Sequence, residues 1–244
     1  MGGVLASIPT TIIPASIGFA LQSQNELEFV APLLAVPFGM LVNAIFLYTW
    51  RIFPSRLPSQ NFYFRLKMMI VISLLIWFVC AVLSIFIQEH YASLALSTCI
   101  VVLQFLFGVI ACLRNPPAPK GKNAVGWGTL AFRGVLAGVA IGVSVLLSYA
   151  GALAGIASVF PAIFLTTMIS IWLAQGEAVQ GGAVGPMMLG SSSVSVYALL
   201  CILIFPKLGF LVGALVAWFL SILIISLPSA VFLRKIRPYS SEDS

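Results

Sequence analysis

Charge is what this sequence has least of. Of its 244 residues only 7% are charged against 61% hydrophobic, and the mean hydropathy is +1.13. A water-soluble domain of this length carries about three times that share of ionised side chains. There is one histidine, His90, and the lone aspartate, Asp243, lies in the tail. No Asp, Glu, Lys, Arg or His falls in the middle of any long apolar run. A charge at mid-bilayer costs about 2.5–3.5 kcal/mol on insertion scales, and it persists mainly where protons, ions or substrates are handled. A carboxylate proton relay, a metalloprotease histidine pair and a paired-aspartate metal site therefore lack the residues to build them. A Ser–His pair would have to use His90, in a short turn at the membrane edge. No catalytic residue, metal ligand or cofactor is assigned, and the chain is read as a non-enzyme.

Other absences narrow the reading further. The net charge of +6 does not imply nucleic acid, because the basic residues are scattered among short membrane-flanking loops. The four cysteines (Cys80, Cys99, Cys112 and Cys201) all sit inside apolar runs and read as small packing residues. Residues 1–9 have no basic leader region, so no cleaved signal peptide is expected, and Ala6 stands where a myristoylation signal wants Ser or Thr.

What the sequence does have is membrane-length apolar stretches. Lipid cannot satisfy backbone polar groups, so such a chain crosses as helices of about 20 residues each. Eight spans are expected, over 2–22, 29–53, 64–88, 91–113, 129–149, 152–175, 183–205 and 208–233. Charge tests the count independently. Eight spans put Arg51, Arg56, Arg65, Lys67, Arg114, Lys120, Lys122, Arg133, Arg234, Lys235 and Arg237 on one side, and Lys207 alone on the other with Glu26, Glu28 and Glu89. By the positive-inside rule both termini are then cytoplasmic. Arg133 and Glu177 fall at the same edge and could pair there. Trp50, Tyr63, Trp127, Tyr149 and Trp172 lie near span ends and read as interfacial anchors.

The stretch 114–126, RNPPAPKGKNAVG, is a proline-rich linker that divides the chain into a first unit (1–113), a second (127–234) and a short tail (235–244). The two units align in order. GVLA occurs at 3–6 and 134–137, Pro37 falls on Pro161, Met68–Met69 on Met187–Met188, and Ala95–Leu96 on Ala214–Leu215. The expected fold class is thus an all-α polytopic membrane protein, with eight transmembrane helices as two parallel four-helix repeats.

The second unit resembles the small four-span bacterial inner-membrane proteins of the GlpM type. The likeness is carried by the glycine-rich span 134–149, Ala154–Gly155 with Phe160–Pro161, the third span ending at Phe205, and GALVAW at 213–218. The first unit fits more loosely, with Val36–Pro37 in place of Phe-Pro. These are packing motifs, so the resemblance implies a four-helix unit fused in tandem and a bacterial cytoplasmic membrane location. It implies no activity.

Candidate site residues follow from polarity inside the spans. Pro37 and Pro161 are expected to break their helices and free backbone carbonyls. Asn43, Thr166 and Thr167 lie one and a half turns later, at the depth where interrupted transporter helices bind solute. Ser191, Ser192 and Ser195, in the polar stretch 190–195, could line a wet path. The competing account is that these groups bond to their own or neighbouring helices and only hold the bundle together. Gly134, Gly138 and Gly142 form a ridge expected to pack a neighbouring helix closely.

Two functions remain open. One is a permease for a small neutral or weakly polar solute, its second and sixth spans facing each other. The other is a non-catalytic accessory subunit of an envelope complex. The expected partners are the lipid bilayer, a small solute, and a second copy or another membrane protein.

Overall fold

The structure, a computed structural model, describes residues 9–23, 28–58, 61–114 and 126–236, and every regular element among them is helical. In chain order these are α1 (Ile12–Gln22), α2 (Val30–Ile52), α3 (Phe62–Tyr91), α4 (Leu94–Leu113), α5 (Trp127–Leu146), α6 (Ala152–Ser158), α7 (Ala162–Gln175), α8 (Glu177–Leu208), α9 (Phe210–Ser221) and α10 (Leu227–Ile236). A π turn, Ile222–Ser226, joins the last two. Among the described residues six stretches are long and apolar enough to cross a membrane: Val30–Ile52, Phe62–Tyr91, Leu94–Leu113, Ala152–Gln175, Val179–Leu208 and Phe210–Ile236. Ile12–Gln22 and Gly134–Leu146 are shorter apolar helices. The linker lies outside the described residues, apart from Arg114 and Gly126.

Local chemistry sets the boundaries. Asn61 caps α3, its side chain accepting from the Tyr63 amide at 3.1 Å, and Ser93 caps α4 by accepting from Leu96 at 3.2 Å. The turns after α7 and α8 pivot on Gly176 (φ +84°) and Gly209 (φ +72°), a region other residues rarely enter. The seventh span is longer than expected: it begins at Glu177, whose carboxylate favours a helix N-terminus, and runs through Pro186.

Two helices form the axis of the bundle. In their most apolar windows 78% of α2 and 67% of α8 are buried, against 17% of α3, which faces outward along most of its length. α2 and α8 pack on each other; α6, α3 and α4 also surround α2, and α4 and α9 flank α8. Close approach depends on glycine. A Cβ on Gly155 of α6 would collide with the Pro32 carbonyl of α2, and one on Gly108 of α4 would meet Leu189 Cα of α8 at 2.8 Å. Small residues at such crossings raise van der Waals contact, the main attraction between helices in lipid.

Three expectations need correction, and a fourth, the pairing of Arg133 with Glu177, falls outside the described residues. Gly134, Gly138 and Gly142 are exposed, and a Cβ on any of them would touch nothing within 4 Å. At this crossing the small residue comes from the partner: Gly18 of α1 fits against Val145, on the neighbouring face of α5. Trp50 and Trp172 are buried rather than interfacial, meeting edge to face at 6.1 Å inside an apolar cluster with Phe46 and Met168. Glu177 pairs with Arg65 at 2.9 Å, and the Arg133 side chain lies outside the described residues. Pro37 does not break its helix, since α2 runs through it. Pro37 has no N–H for the Leu33 carbonyl, and the neighbouring Leu34 carbonyl takes side-chain bonds from Gln88 (3.2 Å) and Ser97 (2.8 Å), which tie this turn to α3 and α4.

Candidate functional site

The sixth span does break. Pro161 has no N–H to give Ala157, and its ring disfavours helical geometry at Phe160. The chain tightens into short-range bonds, Val159 N to Ile156 O (3.3 Å) and Phe160 N to Ala157 O (3.0 Å), and helical bonding resumes when Leu165 N reaches Pro161 O at 2.7 Å. The Val159 carbonyl is left to find a donor elsewhere.

Asn43 supplies it. Its Nδ2 donates to Val159 O at 2.6 Å, and its Oδ1 accepts from Trp77 Nε1 at 2.8 Å. Asn43 is 1% exposed. Trp77 is held edge-on against Phe160 at 5.1 Å, so α2, α3 and the break form one interlocked unit. Gly39, one turn before Asn43, admits Ile156 and Val159 against the α2 backbone. The two proline-bearing spans therefore lie against each other, joined where one of them is interrupted.

A cavity of about 80 Å³ opens at this junction. Its polar lining is Thr10, Thr11, Asn43 and Ser158, and its apolar walls include Met40, Ala137, Ile141, Phe164 and Val194. Among the described residues no ionisable side chain lines it. That space holds a few waters or one very small solute. The chemistry on offer is hydrogen bonding to an uncharged molecule.

The other expected residues are placed differently. Thr166 bonds to Ala162 O and Ile163 O, and Thr167 to Ile163 O at 2.6 Å, all within α7, and neither lines the cavity. Ser191, Ser192 and Ser195 are fully buried where α8 meets α4. Gln104 of α4 donates to Ser191 Oγ at 3.3 Å and accepts from Ser195 at 2.5 Å, and Ser191 donates to Met188 O. This arrangement joins two helices and forms no part of the cavity lining.

A search for charges passes over the glutamines. Gln88, Gln104 and Gln180 are all buried, and each ties two helices together; Gln180 Nε2 reaches the Trp50 carbonyl at 3.0 Å. The signal was available, because an amide inside an apolar run needs partners as much as Asn43 does. Tyr197 of α8 was also missed; it is fully buried and bonds Ser16 of α1 at 2.7 Å. No family model, curated protein or solved structure matches this sequence.

Proposed function

We propose that this chain is a multi-pass membrane permease for a small neutral or weakly polar solute. The observation that carries the reading is the cavity at the break between α6 and α7, beside the buried amide of Asn43. An interrupted helix at mid-membrane exposes backbone groups only where they line a cavity or meet a protein partner, and here both conditions hold. The described lining offers hydroxyls and carbonyls rather than charge, which suits facilitated movement of the solute or its coupling through those groups. Within the same proposal, α1 and α5 complete eight spans in two parallel repeats. The charge segregation argues for both termini in the cytoplasm, and the resemblance of the second unit argues for a bacterial cytoplasmic membrane.

The test is solute flux into proteoliposomes, followed by stopped-flow light scattering with urea, glycerol and small amides. Faster re-swelling than in empty vesicles for at least one solute, slowed by Ala140→Phe in the cavity wall, is the expected result. Rates equal to those of empty vesicles for the whole panel, with folded protein, refute it.

The second reading, an accessory subunit, is favoured by one observation: the open ridge of Gly134, Gly138 and Gly142 on α5. Three exposed glycines cost a helix about 1 kcal/mol each relative to alanine unless another backbone packs on them. Co-purification of one membrane protein at fixed stoichiometry, lost with Gly138→Leu, would favour this reading.

A further inference from the structure

Four helix ends meet where Arg65 pairs with Glu177: the last turns of α2 and α7 and the first turns of α3 and α8. They contribute Trp50, Trp172, Arg65 and Gln180 in that order. Trp50 meets Trp172 edge to face at 6.1 Å, and Phe62 of α3 lies 6.2 Å from the Trp172 ring. Gln180 Nε2 donates to the Trp50 carbonyl at 3.0 Å. Glu177, one turn before Gln180 on the same helix, holds Arg65 at 2.9 Å.

Each of these four side chains buries a polar atom that no protein group meets. They are Trp50 Nε1, Trp172 Nε1, Arg65 Nε and Gln180 Oε1, half of the eight such atoms among the described residues. Trp50, Trp172 and Gln180 are at most 1% exposed. A buried donor or acceptor left unpaired loses its whole hydration, so native proteins ordinarily meet such atoms with ordered water. The chemistry of the four selects the guest. The Trp50 carbonyl can only accept, so Gln180 turns Nε2 toward it and leaves Oε1 as the free end. The unmet groups are therefore three N–H donors and one acceptor. An anion would suit the donors but would face Gln180 Oε1 and the Glu177 carboxylate. A cation would meet three N–H groups and the Arg65 charge. Water accepts and donates at once, and about two waters, at about three bonds each, complete all four groups.

We propose that these helix ends enclose a buried water site, in which ordered water bridges Trp50, Trp172, Arg65 and Gln180. The site lies about 10 Å along α2 from Asn43. It goes beyond the permeation reading and does not depend on it, because none of its four residues lines the cavity.

NMR on the full chain in maltoside micelles tests it, with deuterated protein isotope-labelled at the tryptophan nitrogens. Magnetisation transfer from water to each indole Hε1, recorded in the laboratory and rotating frames, separates bound water from proton exchange by sign. Trp77 is the internal control, since its indole is also buried but already donates to Asn43 Oδ1 at 2.8 Å. Trp50→Phe, Trp77→Phe and Trp172→Phe assign the three resonances. Trp50 and Trp172 should show transfer from bound water, and Trp77 none. Gln180→Leu removes the acceptor and should abolish both signals. Should that variant fail to fold, the contrast with Trp77 in the unaltered protein decides alone. Absence of transfer at Trp50 and Trp172, their indole protons resting instead on a neighbouring ring face, overturns the proposal. Hε1 shifts that follow chloride concentration overturn it too, by revealing an anion as the guest.

Discussion

Replacing Asn43 with alanine removes the side chain that holds the break. The variant leaves the Val159 carbonyl and the Trp77 indole N–H without the partners they now have at 2.6 and 2.8 Å. Interhelical hydrogen bonds in membrane proteins contribute about 0.6 kcal/mol on average and at most about 1.7. Two such bonds put the expected loss at about 1–3 kcal/mol. Trp77→Phe removes only the second, so it should cost less through hydrogen bonding, and the two substitutions should not add. Unfolding in mixed micelles, followed through a complete double-mutant cycle, reads the coupling directly. We expect a coupling of about 0.5–1.5 kcal/mol, in the lower part of the range of about 0.5–3 kcal/mol for residues in one hydrogen-bonded network. Additive losses, or a folded Asn43→Ala protein as stable as the original, would refute the view that this amide joins the interrupted span to α2 and α3.

Further predictions follow from the same contacts. Gly155→Val places a branched side chain against the Pro32 carbonyl and should abolish the monodisperse peak in detergent size-exclusion chromatography, whereas Gly138→Val, in open space, should leave it intact. Gln104→Leu strips the bonds to Ser191 and Ser195 and should lower stability by about 1–2 kcal/mol in the same unfolding assay. Glu177→Gln should cost less than about 1 kcal/mol, because the Arg65 and Glu177 side chains are 23% and 36% exposed and the pair is screened.

The helical, membrane-type character was legible from composition alone, since so little charge leaves no other solvent for the surface. The interruption at Pro161 was legible too, because proline lacks the donor a helix needs. That Pro37 would behave differently was not: its helix is packed on nearly every side, and Gln88 and Ser97 from distant positions support the turn before it. Tertiary donors of this kind leave no local trace. Asn43 was identified by polarity, but its partner is a main-chain oxygen, that of Val159, which no residue type announces. The glycine ridge failed for a related reason. A four-residue spacing says that a backbone can come near, and only the assembled bundle says whether one does. The glutamines were overlooked because attention to ionised groups hides neutral amides that face the same energetic demand.

The central place of α2 has a consequence for biosynthesis. Its principal neighbour, α8, begins about 125 residues after α2 ends. At about 5–20 residues per second, the ribosome leaves α2 without that neighbour for about 6–25 s. Trp77 arrives soon after Asn43, but Val159 does not, so for much of that interval the nascent chain carries a half-satisfied amide within the bilayer. α8 thus closes around a helix made well before it, and a truncation before residue 177 should yield a chain that inserts but is handed to the membrane's quality-control proteases.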